Sequence, residues 1–274
     1  MSTRRDLYLE LCEYLETERQ QPRIRLSDSS QISQALLPGD VLLLDVQAPL
    51  DHCLRTISSS RWSRTALYLG RPHEIASPEL KASLSVFVSY RVDSQLVISC
   101  DLKQGLKVQH LDELSQAHLR ICRPRNLTDR QLQGLIEHLV SRLTLSASRS
   151  WFTLLLVALP WSWLPARWRL GLARLLSGSL FRTLTGTLIA ESFVFAHYPV
   201  LPLLKRQEKN QVRIYNRQPG IFFAADFDHS PYFDVMKFPF VDTDDHPGMR
   251  LQPWSQHEVA EQATPTISTP QNSK

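Results

Sequence analysis

Glycine is scarce in this chain: 9 of 274 residues, about 3%, against a usual share of roughly 7%. Each glycine therefore marks a position worth reading. No stretch of about 20 unbroken apolar residues occurs, which excludes an ordinary membrane-spanning helix. Cysteine is sparse as well. Cys12, Cys53, Cys100 and Cys122 form no C-x-x-C pair, and no H-E-x-x-H or finger-type spacing accompanies them, so neither structural zinc nor any other metal is expected. The N-terminal stretch MSTRRDLYLELCEYLETERQ carries acids where a secretion signal needs an apolar run. A cytoplasmic, non-secreted chain with free thiols follows as the expectation. Charge of one sign is also missing: 31 basic against 27 acidic residues leave +4, too little for nucleic-acid binding without a local basic patch. With 43% hydrophobic and 21% charged residues, the chain has material for a buried core and is not wholly disordered.

Leu7, Leu11, Tyr14 and Leu15 recur at helical spacing, so the N-terminus reads as an amphipathic helix, with a polar linker extending to residue 35. The turn Pro38-Gly39-Asp40 sets up the apolar strand VLLLDV, residues 41–46. A helix around Cys53 to Ile57 and a strand TALYLG ending on Gly70 follow. Residues 84–90, 96–100 and 119–122 read as further strands, and Gly105 turns the chain into LKVQHL. Thr128, with Gln131 three residues on, forms a capping box before a helix whose buried stripe is Leu132, Leu135, Ile136, Leu139, Val140 and Leu143. A helix-like IAESFVFAHY, a strand at Val212 to Tyr215 and the turn Pro219-Gly220 come later. From residue 242 to 274 the chain is polar and rich in Pro, Gln, Ser and Thr, a composition expected to stay disordered. Strands without regular βαβ alternation imply an α+β domain, a mainly antiparallel sheet packed against helices, over residues 36–241.

Several blocks, in order, resemble one family. They are LLPGDVLLLD, SRWSRTALYLG, LVISCDLKQGLKVQHL, LRICRPRNLT, LIAESFVFAHY and RQPGIFFAADF. Together they are similar to the circularly permuted papain-like amidases, the YiiX-type bacterial relatives of the NlpC cell-wall peptidases. The resemblance covers about three quarters of the chain. Four glycines, Gly39, Gly70, Gly105 and Gly220, fall on its turn positions, where a tight turn or positive φ favours glycine.

The resemblance implies a papain-like (NlpC-type) fold in permuted order and a thiolate nucleophile activated by a histidine base. The residues at those positions depart from it. Arg64 in Ser63-Arg64-Thr65 stands where the base belongs, and Ala190 in Ile189-Ala190-Glu191 stands where the cysteine belongs. The third, orienting position falls near Ser99. Alanine has no nucleophile, and a guanidinium stays protonated near neutral pH. Loss of the chemistry is therefore expected, with no cofactor. Arg64 and Glu191 would face one another across the old cleft, and Tyr68 and Ser192 would line it as ligand-binding residues.

Relocated nucleophiles remain to be weighed. Ser192 adjoins Glu191 but has no G-x-S-x-G elbow, and Cys100 ends a strand near the third position. His52-Cys53 would diverge on a helix by about 100°. His197 is expected to be packed or at the surface, and the clusters Asp226 to His229 and Asp242 to His246 to be solvated loops rather than calcium sites.

One window is unusual. Between His138 and Ala190 there is no Asp, Glu or Lys, yet Arg142, Arg149, Arg167, Arg169, Arg174 and Arg182 occur with Trp151, Trp161, Trp163 and Trp168. Residues 151–165, WFTLLLVALPWSWLP, would span about 22 Å as a helix, short of the roughly 30 Å hydrocarbon core. Two readings stand for the insertion at about residues 149–187. It is either a buried helical hairpin or a monotopic hairpin in the membrane interface, with Trp151, Trp161, Trp163, Arg167, Trp168 and Arg169 on the lipid surface. The expected function is thus non-catalytic: binding a lipid, acyl or peptide-like ligand, or a protein partner, at the cytoplasmic face of the inner membrane. The alternative is an active cysteine or serine hydrolase or acyltransferase acting on amide or ester bonds.

Overall fold

The scarce glycines begin to explain the architecture. Gly39, Gly70 and Gly105 all have φ between 81° and 94°, a region closed to most side chains; Gly70 ends β2, Gly105 starts β4, and Gly39 lies in the turn just before β1. The structure, a computed structural model, describes residues 2–17, 29–75, 77–89, 91, 93–103, 105–114, 117–143, 163–165, 168–169, 171, 184, 186–207, 211–216, 222–237 and 250–252. The Pro219-Gly220 turn, Trp151, Trp161, Arg167 and most of the 149–187 insertion lie outside the described residues.

Seven strands form one sheet: β1 (Val41–Asp45), β2 (Arg64–Gly70), β3 (Leu96–Asp101), β4 (Gly105–His110), β5 (His118–Pro124), β8 (Phe233–Lys237) and β9 (Arg250–Gln252). Their spatial order is β4-β3-β2-β1-β5-β8-β9, with a separate ribbon of β6 (Pro202–Gln207) and β7 (Gln211–Asn216). Every pair is antiparallel. The helices are α1 (Ser2–Glu16), α2 (Ser29–Ala35), α3 (Pro49–Ser58), α4 (Pro78–Phe87), α5 (Asp129–Leu143), α6 (Thr187–Phe195) and the short α7 (Ala224–Asp228), with one 3-10 turn at Leu111–Leu114. The molecule is therefore α+β with an antiparallel sheet. Among the described residues no helix is long and apolar enough to cross a membrane.

Alternation along the strands divides the core into two faces. Leu43, Leu67, Ile98 and Cys100 point to one face and join Leu135, Leu139, Ile189, Ala190 and Phe193 of α5 and α6. Leu42, Leu44, Ala66, Tyr68 and Val97 point to the other, against Ile32 and Leu36 of α2 and Leu111 of the 3-10 turn. α1 and α3 close one end of the sheet around Tyr8, Cys12, Leu54 and Phe223. Phe193, Tyr198, Phe227 and Phe233 meet at tilted and edge-on angles, their centroids 5.3–6.3 Å apart, the geometry that ring quadrupoles favour.

Three local expectations are corrected. Of the strand expected over 84–90, residues 84–87 belong instead to α4: Ser77 Oγ accepts from the Leu80 amide and Pro78 starts the turn. The buried stripe of α1 is Tyr8, Cys12 and Leu15, whereas Leu7 and Tyr14 are exposed. Arg250–Gln252, inside the stretch expected to be disordered, pairs with β8 and so covers the ladder groups of an otherwise open edge. The Thr128–Gln131 capping box forms as read, with both reciprocal bonds present.

Candidate functional site

The site positions lie at the junction of β2, β3 and α6. α6 starts at Gly186, whose φ is +35°. A Cβ there would stand 2.8 Å from Thr65 Oγ1 and 3.3 Å from Phe227, so only glycine lets the helix start seat on β2. The helix that carries Ala190 thus docks beside the strand that carries Arg64.

The docking residue is Thr65, however, and alternation turns Arg64 the other way. Arg64 donates from Nε and Nη2 to the two oxygens of Asp51 at 2.8 and 2.7 Å, a bidentate pair. Its Nη1 lies 3.9 Å from Glu16 Oε1. Asp51 is fully buried and comes from α3. Burial alone would lower the Arg64 pKa, but Asp51, through charge and hydrogen bonds, and then Glu16 outweigh it and raise it. Arg64 therefore remains a cation and cannot accept a proton as a base. The expected Arg64–Glu191 pair is not formed. Glu191 is half-buried on α6 and is not among the partners of Arg64.

Ala190 is fully buried in the apolar cluster. Ser192 stands about 200° further round the helix and faces α5. His138 Nδ1 lies 2.9 Å from Ser192 Oγ, which places a serine and a histidine together as a hydrolase would require. The surroundings differ from those of an exposed catalytic pair. Ser192 Oγ also stands 2.8 Å from the carbonyl of Leu188, a second acceptor for its proton, so the direction of the bond to His138 is set by the histidine tautomer. Ser192 is also fully buried, and His138 stacks on Phe195 at 4.5 Å. Burial, then the charge of Arg142, lower the His138 pKa, which keeps the ring neutral near pH 7. The pair fastens α5 to α6.

The other sequence candidates separate. Tyr68 is a core residue whose hydroxyl accepts from Gln95 at 3.0 Å. Cys100 is buried, and desolvation pushes its thiol up to about 12; Cys53 behaves alike. Neither is a thiolate at neutral pH. All four cysteines are buried and none is in a disulfide. His52 and His197 are exposed. Asp226 accepts from the Phe223 amide, and Asp228 holds Arg120 at 2.7 Å, so both serve local structure. Residues 242–246 lie outside the described ones. Of the lipid-surface candidates, Trp163 is 85% and Trp168 61% exposed. Arg169 donates to the carbonyls of Leu164 and Thr56, which ties this segment to α3.

Arg64 and Ser99 do meet, on the face opposite α6. They share a wall of a cavity of about 190 Å³ with Lys107 and Gln109. Ser99 is directly opposite Lys107 in the β3–β4 register. Sequence reasoning overlooked Asp51, Lys107 and Gln109, because none belongs to a motif; only the period-2 alternation of LVISCD and GLKVQH hinted at a shared face. No family model, curated protein or solved structure matches the chain.

Proposed function

We propose that the chain is a non-catalytic relative of the permuted papain-like amidases, working at an anionic membrane surface on a lipid, acyl or peptide-like ligand or a protein partner. The observation that carries this reading is the state of the two chemical positions. A carboxylate-held Arg64 stands at one and a buried Ala190 at the other, while α6 still docks on β2 through Gly186 and Thr65. The membrane part rests on the exposed indoles of Trp163 and Trp168 in a window rich in arginine and free of acid. One observation favours the alternative of a serine hydrolase, namely the 2.9 Å approach of His138 to Ser192.

Intact-mass measurement after incubation with a fluorophosphonate, and separately with a thiol-directed acylating probe, decides between the two. No adduct is expected from either. A folding-dependent adduct that disappears in Ser192→Ala would establish the hydrolase instead. Cosedimentation with phosphatidylglycerol vesicles should exceed that with phosphatidylcholine and fall several-fold in Trp163→Ala/Trp168→Ala, because each buried indole and each headgroup contact adds on the order of 1 kcal/mol. Equal recovery with both lipids removes the membrane from the proposal.

A further inference from the structure

α1 sets three rows of side chains side by side, each spaced i, i+4, i+7 and turned about 100° from the next. Tyr8, Cys12 and Leu15 pack into the core cluster that holds Leu50, Leu54 and Phe223. The second row is Leu7, Leu11 and Tyr14. Leu11 is half-buried, but Leu7 is 56% and Tyr14 59% exposed. The third row, Asp6, Glu10 and Glu13, is acidic and exposed throughout. The helix itself is fastened: Glu16 Oε1 accepts from the Leu102 amide at 2.7 Å and lies 3.9 Å from Arg64 Nη1. The apolar second row is therefore presented on a docked helix, between a packed row and a charged one.

An exposed apolar row rimmed by charge is the composition of an interaction surface, and here the charge selects the occupant. Carboxylates three and four residues apart on a helix repel one another. The last turn of α1 holds Glu13 and Glu16 and no basic residue, although the negative end of the helix dipole lies there. Lys103 meets Glu13 at 3.3 Å, with both side chains at the surface, where such a pair contributes little. A cation brought to this face thus relieves repulsion that the free chain carries. An anionic lipid surface is repelled by the acidic row. A second copy packed through the same helix brings the same acidic row with it. A helix with an apolar stripe and Lys or Arg beside that stripe matches both rows together.

We infer that the Leu7, Leu11 and Tyr14 face of α1 docks a cationic amphipathic helix of a partner protein. The test uses the full chain and a fluorescein-labelled peptide of about 14 residues, roughly four helical turns, with a leucine stripe flanked by lysines. Its control is the same peptide with glutamate in place of lysine. Fluorescence anisotropy should show saturable binding of the lysine peptide, about tenfold or more tighter than that of the glutamate peptide. Leu7→Ser/Tyr14→Ser should weaken it by about tenfold, because both side chains lose apolar area otherwise buried by the peptide. Glu10→Gln/Glu13→Gln should weaken it several-fold and flatten its dependence on salt. All four positions are exposed, so circular dichroism melting of both variants should match the parent. Trp163→Ala/Trp168→Ala should bind the peptide like the parent, which separates this result from the vesicle experiment above. Equal binding of the two peptides overturns the inference. So does the absence of saturation up to about 1 mM, or binding that neither double variant changes. Sedimentation equilibrium and vesicle cosedimentation test the other occupants: dimerisation, or lipid binding, that is lost in Leu7→Ser/Tyr14→Ser would assign the face to a second copy or to the membrane instead.

Discussion

At the residue scale, the decisive side chain is Asp51. It is buried at the end of the sheet and holds Arg64 through two hydrogen bonds. Removing one partner of a buried ion pair leaves an uncompensated charge, at a cost of about 3–5 kcal/mol. Arg64→Met alone should therefore destabilise the chain by that order in urea unfolding. Arg64→Met combined with Asp51→Leu should recover most of the loss, because the fully buried carboxylate is removed with its cation and Glu16 keeps the Leu102 amide. His138 gives a prediction with a direction in pH. Its folded pKa lies below the ordinary histidine value, so the unfolded chain binds the extra proton more readily. The resulting stability is present above the unfolded pKa of about 6.5 and is lost as pH falls through the folded value. The stability advantage of the parent over His138→Asn, followed by denaturant titration, should shrink from pH 7.5 to pH 5. A gap that widens on acidification would show that the histidine gains a partner for its charged form.

At the element scale, the docking of α6 on β2 depends on one missing atom. Gly186 has a positive φ and stands against Thr65 and Phe227. Gly186→Ala should cost about 1–3 kcal/mol through strain and overpacking, read as a lowered melting temperature. Thr65→Ser should relieve part of it, since Thr65 Cγ2 stands 3.1 Å from the added carbon. The sequence made some elements legible and not others. Residues 41–46 and 96–100 read as strands because continuous β-branched and leucine runs between turn residues have few other uses. α5 read as a helix because its stripe and its capping box agree. Residues 84–90 were misread because SVFVSY has the composition of a strand, while the Ser77-Pro78-Glu79 start signal lies seven residues upstream. Arg250–Gln252 could not be read at all: three residues of edge pairing carry no periodicity, and the unpaired edge of β8 exists only once the sheet has formed.

At the scale of the whole molecule, the net charge of +4 describes the chain poorly. Several arginines fold back onto carboxylates distant in sequence: Arg123 onto Asp40, Arg120 onto Asp228, Arg125 onto Asp234, and Arg55 and Arg61 onto Asp45. The charge available to a partner is set by what remains after that pairing. The cysteines give the global test. Cys12 and Cys53 are buried in one core cluster and Cys100 and Cys122 in another, so a water-soluble thiol reagent should modify none of them rapidly in the native state. Their reaction should follow urea unfolding. Fast stoichiometric labelling of one cysteine without unfolding would point to a local opening or to an activated thiol.

The sequence by itself determined the α+β class and the glycines beside the strand ends, and it put an arginine at position 64 and an alanine at position 190, because these depend on residue type and short spacing. Tertiary structure alone decided what the site positions touch. Strand alternation and register turned Arg64 away from α6 onto Asp51, joined Ser192 to His138, and brought Ser99, Lys107 and Gln109 to one cavity wall. The scarcity of glycine takes on a structural meaning here: Gly186, unremarked in the sequence, is needed because its φ is positive and because β2 comes within contact distance of its missing side chain.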